Sequence, residues 1–179
     1  MAEKPPLPWL RQGAYDSMPL AERSLMWARS QVGVRERGGP NRGPEVEGYL
    51  AAAGLGGGHA WCAAFVLWCL IRAGAERARL PRSAAAVRSW FSVALRVDAV
   101  RQVPRRGDLF FWLNEDGRGH IGFVAEVDAE GRRIRTIEGN TDAARGSRDG
   151  DGVHERWRSV RSLAVYRHWG FIDLAAVAE

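Results

Sequence analysis

His59-Ala60-Trp61-Cys62-Ala63-Ala64-Phe65-Val66-Leu67-Trp68 follows a glycine-rich run, Gly54 to Gly58, and opens an apolar stretch that continues to Ile71. The stretch predicts a helix over 61–73, closed by Gly74. It is apolar on every side, which places it in the core. Cys62 falls in its first turn. Unpaired backbone N–H groups and the positive end of the helix dipole favour thiolate over thiol there. The thiolate is the form that attacks carbonyl carbon. Such a nucleophile needs a base within hydrogen-bond reach, and the base needs a group to orient it.

Upstream, the chain reads as helices. Pro19 suits the first turn of a helix running to about Val32, with Ser17 as its N-cap. Gly38-Gly39-Pro40-Asn41 breaks the chain, and Pro44 starts a second helix through Ala53, ended by Gly54. Ser83 caps a further helix from Ala84 to about Leu95. Downstream the pattern turns to strands: Asp108–Trp112, His120–Val127, Arg132–Asn140, Val153–Arg158 and Leu163–Gly170. Asp142 to Asp151 reads as a polar loop. Helices first and strands after predict an α+β fold, with N-terminal helices packed on a C-terminal antiparallel sheet.

Composition narrows the function. The chain has 179 residues, enough for one domain with a real core. No apolar run reaches the ~18 residues of a membrane span, so no membrane insertion is expected. Met1-Ala2-Glu3-Lys4-Pro5-Pro6-Leu7-Pro8 lacks the apolar core of a signal peptide. That predicts synthesis in the cytoplasm, followed by release or a specialised secretion route. The net charge of +5 invites a polyanion. Its arginines are scattered, though, with no basic recognition helix, so nucleic acid is not an expected partner. Cys62 and Cys69 lie seven residues apart on one helix, about 10 Å, too far for a disulfide. Cys69 reads as a small buried apolar residue.

His120 opens a strand just after the flexible Asn114–Gly119 loop, a good place for a base. Glu138 and Asn140 follow on the next strand. Asp128-Ala129-Glu130-Gly131 suits a type I turn with Gly131 left-handed in a three-residue loop. That loop pairs Asp128 with Arg132, His120 with Asn140, and Gly122 with Glu138. His120, Glu138 and Asn140 then share one face. Direct neighbours across the pair stand about 5 Å apart and diagonal ones about 7–8 Å, so either Glu138 or Asn140 is within reach of the imidazole. Gly122 leaves room for the carboxylate to lean toward His120. A one-residue slip would send the partners to the other face.

Four segments together resemble the CHAP domain, the cysteine- and histidine-dependent amidohydrolase/peptidase family of papain-like fold. They are Trp61-Cys62-Ala63-Ala64-Phe65-Val66, Gly107-Asp108-Leu109-Phe110-Phe111-Trp112, Gly119-His120-Ile121-Gly122-Phe123-Val124 and Ile137-Glu138-Gly139-Asn140-Thr141, with Val32-Gly33-Val34-Arg35-Glu36 upstream. The resemblance implies a single catalytic domain over residues 19–173, with an irregular lead at 1–18 and a tail at 174–179. It implies Cys62 as nucleophile, His120 as base, and Glu138 and Asn140 as orienting residues; Trp61 and Trp112 are candidates to line the substrate cleft, and either suits the core equally. The implied substrate is bacterial peptidoglycan, cut at the muramoyl-alanine amide or within the stem peptide or cross-bridge. Some members bind calcium through an acidic loop ahead of the cysteine. Here Asn41-Arg42-Gly43-Pro44-Glu45-Val46-Glu47 lacks such a cluster, so neither metal nor cofactor is expected. The setting would be a phage lysin or a secreted antibacterial effector, a monomer, the effector paired with an immunity protein. Three other readings use the same residues: a metal site from His59, Cys62 and His120, a non-enzymatic binding module, and a cysteine amidase or protease acting away from the wall.

Overall fold

Burial organises the chain around one helix. The computed structural model describes residues 11–142 and 150–178. The lead before residue 11 and the 143–149 part of the expected polar loop lie outside the described residues. Helix α1 spans Gln12–Asp16, α2 Leu20–Ser30, α3 Pro44–Ala52 and α4 Cys62–Arg72. Cys62 through Leu67, Cys69 and Leu70 of α4 are all buried. Each large apolar side chain withdrawn from water there contributes on the order of 1.5–3 kcal/mol, so α4 anchors the core. Tyr49 of α3 packs edge-on against Phe65 and Trp68 of α4, and Trp27 of α2 meets Trp68.

After α5 (Val87–Arg96) come six strands: β1 Val100–Arg101, β2 Leu109–Leu113, β3 Gly119–Val127, β4 Arg133–Thr141, β5 Gly152–Ser159 and β6 His168–Ile172. They form one antiparallel sheet in the order β1-β6-β2-β3-β4-β5. The α+β architecture read from the sequence is the one observed. Alternation along the strands builds two apolar layers. Leu109, Phe111, Ile121, Phe123 and Ile137 pack with the helices. Phe110, Trp112, Val124, Ile134 and Phe171 pack on the other face with Leu163.

Several boundaries differ from the sequence reading. The expected lead contains α1, pulled in by Tyr15, which is fully buried and accepts a hydrogen bond from Trp27 Nε1 (3.0 Å). Ser17 is not the N-cap of α2; that position is Pro19, and Ser17 closes α1 instead. Helix α5 starts at Val87 rather than Ala84, with no capping side chain. Leu163–Gly170 is not one strand. Val160–Val165 is a 3-10 helix, and β6 begins only at His168. Val160, Leu163 and Tyr166 recur every third residue, and all three pack on the second apolar layer. The expected tail is α6, Leu174–Ala178, with Leu174, Val177 and Ala178 buried.

The β3–β4 hairpin reaches the expected register by a different route. Its loop is one residue longer: Asp128 N–H donates to Arg133 O (3.0 Å), and pairing starts at Val127–Ile134 and Glu126–Arg135. The register then shifts between Val124 and Glu126, leaving Ala125 as a bulge. Beyond it Val124 faces Thr136 and Phe123 faces Ile137, the pairing that a three-residue loop without a bulge would give. The two departures offset each other.

Candidate active site

Cys62 is the first residue of α4, and its neighbours hold it there. Trp61, the residue before the helix, is fully buried. Its indole stacks on Tyr49 at 5.6 Å and donates to Glu36 Oε1 (2.9 Å). Glu36 Oε2 accepts in turn from the Asn41 backbone N–H (2.8 Å). Trp61, a candidate for the cleft, is therefore a core residue fastening the start of α4. Within the Gly56–Gly58 run only Gly57 is crowded: a Cβ there would lie 2.9 Å from Arg42 Nη1 and from Glu47 Oε1, whereas Gly56 and Gly58 face open space.

His120 is the second residue of β3. It shares its face with Phe110 and Trp112, whose rings stand 5.9 and 6.1 Å from the imidazole. Helix α4 packs on the opposite face, against Phe123. The site thus forms at the strand mouth, where the sheet ends beside the start of α4. His120 Nε2 meets Glu138 Oε2 at 2.8 Å, and both side chains are fully buried. A carboxylate only accepts, so Nε2 holds a proton toward Glu138, and Nδ1 is the nitrogen that exchanges a proton with the thiol. The Cys62 thiol lies close enough to act on the ring as a hydrogen-bond partner, yet Nδ1 has no aligned hydrogen bond. Such contacts are often poorly aligned before substrate binds.

Glu138 is surrounded by donors. Thr136 Oγ1 and Arg158 Nε donate to Oε1, and Arg158 Nη2 donates to Oε2 beside His120. Burial alone would raise the carboxyl's pKa, but Arg158 and His120 outweigh it and hold it well below the usual range. Burial likewise pulls His120 down, and the Cys62 thiol and Glu138 overcome this, raising it to about 9. Cys69 is also buried, and burial pushes its thiol well up.

Asn140 is buried with φ +57°, where the β4–β5 register shifts between Glu138 and Thr141. The carboxylate, not this amide, holds Nε2. Trp112 is 5% exposed, stacks on Tyr166 at 4.1 Å, and walls a cavity of about 380 Å³ with Arg156, Arg158 and Leu163. A larger cavity of about 690 Å³, lined by Gln12, Asp16, Arg23 and Glu76, has no residue of the Cys62–His120–Glu138 cluster. Among the described residues no group of three His, Cys, Asp or Glu side chains is arranged to hold a metal ion. His59 is exposed. Among the described residues no helix is long and apolar enough to cross a membrane.

Residues 54–140 match the family model of the CHAP domain. That segment is similar to CHAP domains. The match begins at the glycine run ahead of Cys62 and ends at Asn140, so it contains Cys62, His120 and Glu138. No curated protein and no solved structure matches the chain. CHAP domains are amidases and peptidases using a cysteine and a histidine, commonly on peptidoglycan. Sequence reasoning missed Arg158, which lies outside the matched span. It is one of many arginines, and its only signal is the even-numbered alternation of His154, Arg156 and Arg158 along β5.

Proposed function

We propose that this CHAP-like domain hydrolyses amide bonds of bacterial peptidoglycan, at the muramoyl-alanine link or within the stem peptide or cross-bridge. One observation carries the reading: a buried imidazole is tied through Nε2 to an ionised Glu138, with its other nitrogen left for the Cys62 thiol. In the proposed mechanism Nδ1 of His120 takes the thiol proton. The thiolate attacks the amide carbonyl carbon, forming the C–S bond. Free N–H groups in the first turn of α4, those of Cys62 and its neighbours, stabilise the oxyanion, at about 3–4 kcal/mol per donor in well-studied enzymes. The imidazolium gives its proton to the leaving nitrogen as the C–N bond breaks. Water, deprotonated by Nδ1, then attacks the thioester, releasing the acid and restoring the thiol. Glu138 keeps the tautomer and stabilises the imidazolium throughout. Asn140 shapes the end of β4 that presents Glu138. Trp112, whose ring stands beside His120, is proposed as a substrate contact.

The setting that suits this chemistry is a phage lysin or a delivered antibacterial effector, the latter with an immunity protein covering the mouth at Cys62. Cys62→Ala is expected to lower muropeptide release from purified sacculi by on the order of 10³-fold or more while leaving the circular dichroism spectrum unchanged. Undiminished release by that variant would overturn the assignment. Mass spectrometry of the products identifies the bond.

A further inference from the structure

Glu138 is more tightly held than a base-orienting carboxylate requires. A carboxylate offers about four lone-pair sites, and here four donors occupy them: Thr136 Oγ1, Arg158 Nε, Arg158 Nη2 and His120 Nε2. Two of the four come from one guanidinium, each prong on a different oxygen. That fork fixes the carboxylate's rotation as well as its position. Glu138 Oε2 is shared between Arg158 and His120, so any movement of the fork is felt at the imidazole.

The surroundings hold the fork in place. Arg158 stands on β5 opposite Ile134 and reaches along the sheet to Glu138. Its guanidinium lies over Phe110 at 5.4 Å from the ring centre, and its side chain is 11% exposed. Burial lowers its affinity for a proton, and Glu138 more than restores it, with Tyr166 and Asp142 as the further charge partners. Across β4–β5, His154 stands opposite Glu138 and lies 3.5 Å from Asp151. On the β3 side, the group facing Glu138 is His120, backed by Cys62 from α4.

We propose that Arg158 is a positioning residue of the cysteine–histidine site, clamping Glu138 in its ionised form on Nε2 of His120 so that Nδ1 stays directed at Cys62. The inference rests on the assignment of Cys62 and His120 as nucleophile and base. A fully buried carboxylate without a counter-charge takes up a proton instead. A neutral Glu138 would no longer support the imidazolium, and the thiolate would lose its nearest counter-charge. That moves thiolate formation to higher pH.

The test uses iodoacetamide alkylation of the whole protein from about pH 5 to about pH 9, with the modified cysteine located by fragment-ion mass spectrometry. Arg158→Met is expected to move the acid limb of Cys62 alkylation upward by about one pH unit or more, a fall of about tenfold near pH 6. Arg158→Lys, which keeps charge but not the fork, is expected to fall between Arg158→Met and the wild type. In a Glu138→Gln background, Arg158→Met is expected to cost far less than in the wild type, because the clamp has nothing left to hold. A wild-type profile in folded Arg158→Met, or the same full loss in both backgrounds, overturns the proposal. Should Arg158→Met fail to fold, Arg158→Lys decides: an unmoved profile rejects the clamp. Alkylation needs no wall substrate. A Cys62→Ala protein that still releases muropeptides rejects the nucleophile assignment, whereas an unmoved alkylation profile beside an inactive Cys62→Ala rejects only the role of Arg158.

Discussion

At the scale of single residues, the site depends on what is missing as much as on what is present. Gly122 neighbours Glu138, as the expected register required. A Cβ added to it would lie 2.9 Å from Glu138 Cγ, 2.8 Å from Phe110 Cε1 and 2.9 Å from the Ile137 carbonyl oxygen. Backbone cannot yield cheaply, so the carboxylate must. Gly122→Ala is expected to cost about 1–3 kcal/mol of stability, measured by urea unfolding. It is also expected to slow Cys62 alkylation at neutral pH by pushing Glu138 off Nε2. Alkylation at the wild-type rate would show that the carboxylate has room this geometry denies it. Asn140 illustrates the opposite case. It was expected as an orienting amide, and its left-handed backbone is where β4 leaves its pairing with β5. Asparagine tolerates that conformation better than most residues, through local hydrogen bonding of its short side chain.

At the scale of elements, the distance from Cys62 to His120 is set by how closely α4 approaches β4. Gly139 makes that approach: a Cβ there would stand 2.6 Å from Trp61 Cζ3 and 2.8 Å from Phe65 Cβ and Cγ. Both aromatic rings are fully buried and locked against Tyr49. Gly139→Ala is therefore expected to push the start of α4 away from the sheet, separating Cys62 from His120. Sacculus-digesting activity should drop about tenfold or more, and stability by about 1–3 kcal/mol. Retained activity together with a lowered unfolding midpoint would mean that the sheet, not the helix, gives way. The β3–β4 hairpin carries a second lesson at this scale. Its turn is a residue longer than expected, yet Ala125 is bulged out and the pairs nearest the site come back into the register that brings Glu138 to His120. Register near the site follows from burying Phe123 and Ile137 on the helix side. The turn adapts to that requirement.

At the scale of the whole molecule, the buried ionic cluster links stability to pH. His120 is raised to about 9 in the folded chain, from an ordinary value near 6.5. A group raised by folding stabilises the native state while protonated. Its contribution is full below about pH 6.5 and is lost as pH rises through about 9. Glu138 is depressed, so its contribution is present above the ordinary glutamate range and is lost as pH falls through its lowered value. Thermal melts are expected to show a declining Tm between about pH 7 and about pH 9, and His120→Gln is expected to flatten that decline. An identical alkaline decline in His120→Gln would place its cause elsewhere in the fold.

The sequence alone determined the features that depend on local pattern. Apolar content around Cys62 marked α4 and its burial; glycine and proline marked the ends of α3; short apolar or alternating runs marked β2 through β5. That His120 and Glu138 share a face needed the β3–β4 register as well as the strand period, and the longer turn and the Ala125 bulge together restored it. Features lacking a long enough local signal were illegible. Strand β1 has two residues and exists because β6 pairs with it. The 3-10 segment and α6 are short pieces whose apolar residues acquire meaning only against surfaces built elsewhere. Tertiary structure alone decided which partner holds the imidazole, and that Trp61 faces the core. It also decided that one arginine among many reaches from β5 to the carboxylate. Those choices rest on desolvation: a charge withdrawn from water must find its counter-charge among groups distant in the chain, and spacing along the sequence does not encode that meeting.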